Sequence, residues 1–183
     1  MKIAVKTPLS AFQNDIGDVV RLFYGEGAAV EAGQEADAQL VHRHDEREGQ
    51  WHERFILTDA NGREEHNALS APVVSGGLEE KRQLKRLVKR CCYMLLKRVS
   101  GRQPAWGSLT GIRPTRLYYQ QLEQGKTRDE ARQTLAELFD LSQEKIDLLD
   151  EILDAQYGLI DRRFICRHSV LHDALCVLLV FIR

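Results

Sequence analysis

At 183 residues, with 43% hydrophobic and 29% charged content, the chain is long enough for one ordinary hydrophobic core or two small ones, and it is too apolar to be disordered. The N-terminal run Met1-Lys2-Ile3-Ala4-Val5-Lys6 lacks the apolar stretch of a secretory leader, and no segment is apolar for long enough to span a bilayer, so a cytoplasmic location with no membrane partner is expected. Four cysteines, two of them adjacent at Cys91 and Cys92, do not form a disulfide framework. The formal net charge of −1 hides an uneven distribution: basic residues dominate from Lys81 to Arg102, and acidic ones from Asp140 to Asp154.

The first part of the chain has a mixed α and β pattern. Lys2 to Lys6 alternates as a strand, and Ser10 is placed to cap a helix through Tyr24, with Phe12, Ile16, Val19, Val20 and Phe23 at helical spacing. Gly25 and Gly27 stop it. Ala36 to Arg43 and Trp51 to Thr58 have strand character. The turn signal Asp59-Ala60-Asn61-Gly62 returns the chain as a polar strand from Arg63 to Ala68. The expectation is an α+β fold: a small antiparallel sheet with a packed helix over residues 1–70, then a linker at 71–77 marked by Pro72, Ser75, Gly76 and Gly77.

Beyond the linker the pattern is helical, and a bundle of about four helices is expected over residues 78–158. Leu84, Leu87, Val88, Cys91 and Leu95 define the buried stripe of a helix from Leu78 to Val99, whose other face carries Lys81, Arg82, Lys85, Arg86, Lys89, Arg90, Lys97 and Arg98. Pro114 suits the first turn of a helix ending near Glu123. Thr127 and Glu130 form a capping box for a helix through Ala131, Leu135 and Leu138. Ser142 can cap a last helix whose stripe is Ile146, Leu149, Ile152 and Leu153. Cys91 and Cys92 are expected as one buried and one partly buried thiol, and Trp51 in the core or on the sheet surface. His42 and His44 share a strand face, a pairing more often incidental than metal-binding.

The most specific segment runs from Trp106 to Arg116, WGSLTGIRPTR. Its glycines permit tight turns, its threonine hydroxyls can satisfy local amides, and Pro114 holds the preceding residue extended before a helix begins. Arg113 and Arg116 then lie near a helix N-terminus, where amides and cations together can hold an anion. Thr110, Arg113, Thr115 and Arg116, with Lys85 and Lys89 from the basic helix, are therefore the candidate anion- or partner-binding residues. The bland alternative is an interhelical loop with Trp106 as a core plug, since the glycines match no phosphate-binding fingerprint. The basic helix could bind nucleic acid, but it has no interleaved aromatic except Tyr93 and acidic helices follow it, so a solvated or internally paired face is the expectation.

The run WGSLTGIRPTRL, preceded by LKRLVKRCCYMLLKRVSG and followed by LEQGKTRDEARQTLAELFDLSQEKIDLLDEIL, resembles the region ahead of the radical S-adenosylmethionine barrel in HemZ-type proteins, a branch of the oxygen-independent coproporphyrinogen III oxidases. The similarity covers Gly77 to Asp154 well and the first seventy residues loosely. The resemblance implies a radical enzyme of heme biosynthesis that oxidatively decarboxylates propionate side chains of coproporphyrinogen III with S-adenosylmethionine and a [4Fe–4S] cluster. It also implies that the C-terminal cluster-bearing domain is this region's partner.

The stretch from Phe164 to Arg183 departs from this pattern, ending in the apolar run Leu175 to Ile182. One permitted set of codons from Arg167 onward, displaced by one base, encodes GIPFCTTRCVYCSF. Its C-x3-C-x2-C spacing resembles a radical S-adenosylmethionine cluster loop and falls where the family places one. Leu171, Leu175 and Leu178 stand in the places of its cysteines. Residues 159–183 are accordingly expected to be an aberrant, frameshifted tail, and the chain an accessory N-terminal region with no catalytic residue, no metal and no cofactor of its own. A rival is zinc held by Cys166, His168, His172 and Cys176, three of which share a helix face. That reading leaves the apolar run unexplained. A further alternative is a stand-alone anion- or nucleic-acid-binding module built on the basic helix and the Trp106–Arg116 loop.

Overall fold

The computed structural model describes residues 1–111 and 113–157. The expectations for the tail, both the displaced cluster loop and the zinc spacing, lie outside the described residues.

Five strands form one sheet: β1 (Ile3–Lys6), β2 (Ala29–Glu31), β3 (Ala38–Arg47), β4 (Gln50–Asp59) and β5 (Glu64–Pro72), in the order β2-β1-β3-β4-β5. The α+β architecture is as expected, with two refinements. The short β2 has no strand signature in the sequence, and β1 pairs in parallel with both its neighbours, whereas β3, β4 and β5 are antiparallel. The parallel pairing follows from helix α1 (Gln13–Tyr24), which carries the chain from β1 over to β2. Glu48 and Gly49 link β3 to β4 with φ of 52° and 69°, the double positive-φ geometry of a tight hairpin. The turn after β4 is the one its sequence announces: Asp59 Oδ1 accepts from the amides of Asn61 and Arg63, both at 2.9 Å. Ser10 does not cap α1; it opens a single 3₁₀ turn (Ser10–Phe12) that leads into the helix with no side-chain cap.

Helix α2 (Leu78–Ser100) ends at Gly101, a left-handed C-cap with φ of 65°. Its apolar stripe packs on the sheet beside α1, so Val88, Cys91, Cys92, Leu95 and Leu96 share one core with Ile3, Leu40, Phe55 and the α1 residues Ile16, Val20 and Phe23. Burying each large side chain in this set contributes roughly 1.5–3 kcal/mol. The expected four-helix bundle is thus divided. The sheet takes the first helix, and the second core belongs to α3 (Pro114–Glu123), α4 (Arg128–Phe139) and α5 (Gln143–Tyr157), around Leu117, Tyr118, Leu135, Ile146, Leu149 and Leu153.

The expected helix starts are present. Pro114 stands at the head of α3, Thr127 and Glu130 form a complete capping box on α4, and Ser142 Oγ accepts from the Lys145 amide at 3.4 Å. Two burial expectations are corrected, and Trp51 takes the first of its two expected places. Leu138 is 49% exposed and is not part of the second core. Cys91 and Cys92 are both fully buried in the same core, Cys91 with its thiol against the Glu53 and Asn67 carbonyls of the sheet. Trp51 is core, 2% exposed.

Candidate functional site

The Trp106–Arg116 segment is the joint between the two cores. Gly107 adopts φ of 55° and lies so close to the end of α4 that a Cβ there would stand 1.8 Å from the Phe139 carbonyl oxygen. The next residue uses that closeness: Ser108 donates to the Phe139 carbonyl from both its amide, at 2.7 Å, and its hydroxyl, at 3.3 Å. Leu109 enters the second core, and Trp106 packs on that core's edge with the Lys145 ammonium 5.4 Å from its ring centroid. Trp106 is therefore a partly buried wall, not a plug.

The far side of the joint is α2. Asp140, a left-handed residue with φ of 56° that caps α4, accepts on Oδ2 from the Tyr93 hydroxyl and the Lys97 ammonium, each at 2.6 Å. Burial, reinforced by the hydrogen bond to Asp140, holds the Tyr93 phenol well above its ordinary pKa. One helical turn before Tyr93, the Lys89 ammonium donates to the Thr110 carbonyl at 2.9 Å. Lys89 is 8% exposed and makes no ion pair with a described residue. Burial pushes its pKa down, an effect that the more distant Asp15 partly offsets.

The candidate residues are thus only partly gathered. Lys89 and Thr110 meet directly. The Thr110 hydroxyl satisfies no local amide, contrary to expectation: its oxygen is buried and without a hydrogen-bond partner. Arg113, extended at ψ of 117° as the following proline requires, precedes α3 with its side chain exposed; Thr115 is buried and Arg116 exposed in the first turn. Lys85 turns away to pair with Asp15 of α1 at 3.0 Å.

Internal pairing accounts for much of the basic face of α2, since Arg82, Lys97 and Arg98 also meet Glu79, Asp140 and Glu65. The acidic stretch after Asp140 is answered mainly from α4, where Arg128 pairs with Asp154 and Arg132 with Asp147 and Asp150. Among the described residues no group of three histidine, cysteine or carboxylate side chains could hold a metal ion. Cys91 and Cys92 do not suit an iron–sulfur cluster either, since they are buried on one helix and burial raises both thiols, Cys91 to about 11.

One polar cluster escaped the sequence reading. Glu53 of β4 is wholly buried and accepts from two imidazoles, His42 Nε2 on Oε2 and His44 Nδ1 on Oε1, both at 2.6 Å. His42 stacks on Phe55 and meets the Thr7 hydroxyl at 2.8 Å through Nδ1. The Thr7 hydroxyl oxygen that meets His42 also accepts from the Leu9 amide at 3.1 Å. The two histidines are therefore not incidental: one carboxylate fixes both. The signal was available in the hairpin register, which sets His44 directly opposite Glu53.

No family model matches the chain. Over 112 residues, 53% of its length, it is 32% identical to the oxygen-independent coproporphyrinogen-III oxidase-like protein HemZ of Bacillus subtilis (strain 168), and the match spans 22% of that relative. Over that stretch the chain is HemZ-like, in line with the resemblance in the sequence. Two solved structures are distantly similar. An uncharacterized lipoprotein B from Nitrosomonas europaea has a TM-score of 0.30 at 15% identity, over 55% of this chain and 82% of its own. A putative lipoprotein from Caulobacter crescentus CB15 has a TM-score of 0.27 at 9% identity, over 52% and 84%. Scores this low carry no argument about fold or function. No helix among the described residues is long and apolar enough to cross a membrane.

Proposed function

We propose that this chain is an accessory region of a coproporphyrinogen III oxidase-related protein of heme biosynthesis, lying ahead of a radical S-adenosylmethionine domain and catalysing no oxidation itself. The observation that carries the reading is the 32% identity over 112 residues to HemZ, which spans 22% of that protein. The intact protein's chemistry, oxidative decarboxylation of propionate side chains, would use a cluster and S-adenosylmethionine held by the remainder. The donor chemistry of the described residues supports this division, because their two thiols are buried, protonated and on one helix. The region's proposed partner is the cluster-bearing domain, its location the cytoplasm, and its contribution a rigid platform clamped by Asp140, Tyr93 and Lys97.

The one-base displacement proposed from Arg167 onward is testable at the DNA level. The expected result is that the alternative frame runs on through the C-x3-C-x2-C loop into a long open frame encoding a barrel. Purified protein from the frame-restored gene should take up iron and sulfide as a brown cluster, and the 183-residue chain should not. A stop codon at once in every frame, or a cluster reconstituted in the chain as it stands, overturns the proposal.

A further inference from the structure

Helix α2 is flanked by two concavities. The first, about 600 Å³, is lined by Arg90, Lys97, Arg98 and Arg102 together with the carboxylates of Glu137 and Asp140, and Asp140 pairs with Lys97 there. The second, about 400 Å³, lies among the end of β5, α2 and the end of α4. Its walls are largely apolar, with Trp51, Val74, Leu138 and Phe139 prominent, and its charged lining is Lys85, Arg86, Lys89 and Arg90. No carboxylate occurs among its described lining residues.

The charge balance singles out the second concavity. Lys85 is neutralised by Asp15. Lys89 spends one N–H on the Thr110 carbonyl, and neither it nor Arg86 nor Arg90 forms an ion pair with any described residue. A buried ammonium facing a single carbonyl is unfavourable in the empty protein, and the cost is relieved when an anion enters. The two exposed apolar side chains at the cavity, Val74 at 39% and Leu138 at 49%, would be covered by the same event. A nucleic-acid backbone tracks exposed cations and cannot reach a lysine that is 8% exposed, whereas a single acidic group at the end of an apolar body can. A mostly apolar concavity of this volume with a few convergent polar groups is the usual form of a small-ligand site.

We infer that this cavity binds a small organic anion, its carboxylate or comparable acidic group held by Lys89 and Arg90 and its hydrocarbon part lying against Trp51, Leu138 and Phe139. The site does not depend on the proposed relationship to HemZ and stands if that reading fails.

The test is a fluorescence titration of the whole 183-residue chain with anilinonaphthalene sulfonate, followed by competition. One saturable site is expected, from which decanoate displaces the probe and decanol, of equal chain length but uncharged, does so at least tenfold more weakly. Arg90→Gln, at an exposed position with no ion pair to a described residue, and Lys89→Met should each weaken decanoate at least tenfold and leave decanol unchanged. A tenfold loss corresponds to about 1.4 kcal/mol. Equal competition by decanoate and decanol, an unaltered decanoate affinity in Arg90→Gln, or displacement by a polyglutamate peptide where decanoate fails would each overturn the inference. The last outcome would assign the surface to an acidic chain instead.

Discussion

Replacing Gly107 by alanine separates two effects that a glycine in a loop usually confounds. The first is conformational: φ of 55° is left-handed, and an L-residue there costs roughly 1–2 kcal/mol. The second is contact. An alanine Cβ would stand 1.8 Å from the Phe139 oxygen and 2.6 Å from the Asp140 carbonyl carbon, both backbone, so the loop must lift from the end of α4. Lifting it breaks the two Ser108 hydrogen bonds to Phe139, worth about 1 kcal/mol each. Gly107→Ala is therefore expected to destabilise by roughly 3–4 kcal/mol, a large share of the ~5–15 kcal/mol typical of a domain. Gly111, in the same segment at φ of 66°, has nothing within 4 Å of a Cβ and isolates the first effect, so Gly111→Ala should cost only ~1–2 kcal/mol. Equilibrium urea unfolding of the two variants, followed by tryptophan fluorescence and far-ultraviolet dichroism, measures the difference directly. Equal losses would refute the close approach, and with it the assignment of this loop as the joint between the cores.

Two further predictions concern buried titratable groups. Glu53→Gln leaves one carbonyl oxygen for two imidazole N–H groups, and the amide must turn a donor toward the other ring. A loss of roughly 2–4 kcal/mol is expected in urea, and a loss below ~0.5 kcal/mol would mean that the His42–Glu53–His44 cluster is not formed. At alkaline pH the folded chain keeps a proton on Cys91 up to about 11, whereas the unfolded chain releases it near 8.5, so the unfolded state binds fewer protons and stability falls as pH rises through that window. Cys91→Ala should lower the slope measured between about pH 8.5 and about pH 10.5, by at most ~1.4 kcal/mol per pH unit; an unchanged slope would place the titrating groups elsewhere.

What could be read from the sequence is what depends on near neighbours in the chain. The helical spacing of Ile16, Val20 and Phe23, the Thr127–Glu130 box, Pro114 at a helix start and the Asp59–Gly62 turn each state their own local structure, and each is present. What could not be read depends on distant partners. Ala29–Glu31 is a strand only because the backbone of β1 lies beside it. The stripe of α2 fits a bundle as well as a sheet face, and only the sheet's own buried residues decide between them. Lys89 sits in an unbroken basic pattern, and no periodicity distinguishes it from Lys85 a turn earlier. Its burial is imposed by Thr110, 21 residues further on.

That contrast also bears on the candidate anion loop. The glycines of WGSLTGIRPT permit tight turns, and Gly107 uses that freedom for close packing within the chain, since the carbonyl it approaches belongs to α4. The loop's chemical offering is instead indirect: its Thr110 carbonyl draws the Lys89 ammonium below the surface, beside a cavity whose described lining carries no negative charge. A joint made only for stability would place an apolar side chain at position 89, because a methionine fills the same space without the desolvation cost of an ammonium. Lys89→Met relieves that desolvation cost but takes the donor from the Thr110 carbonyl, so the melting temperature should change little while decanoate weakens. Loss of stability together with unchanged decanoate binding would show that the lysine is there for the joint and not for a ligand.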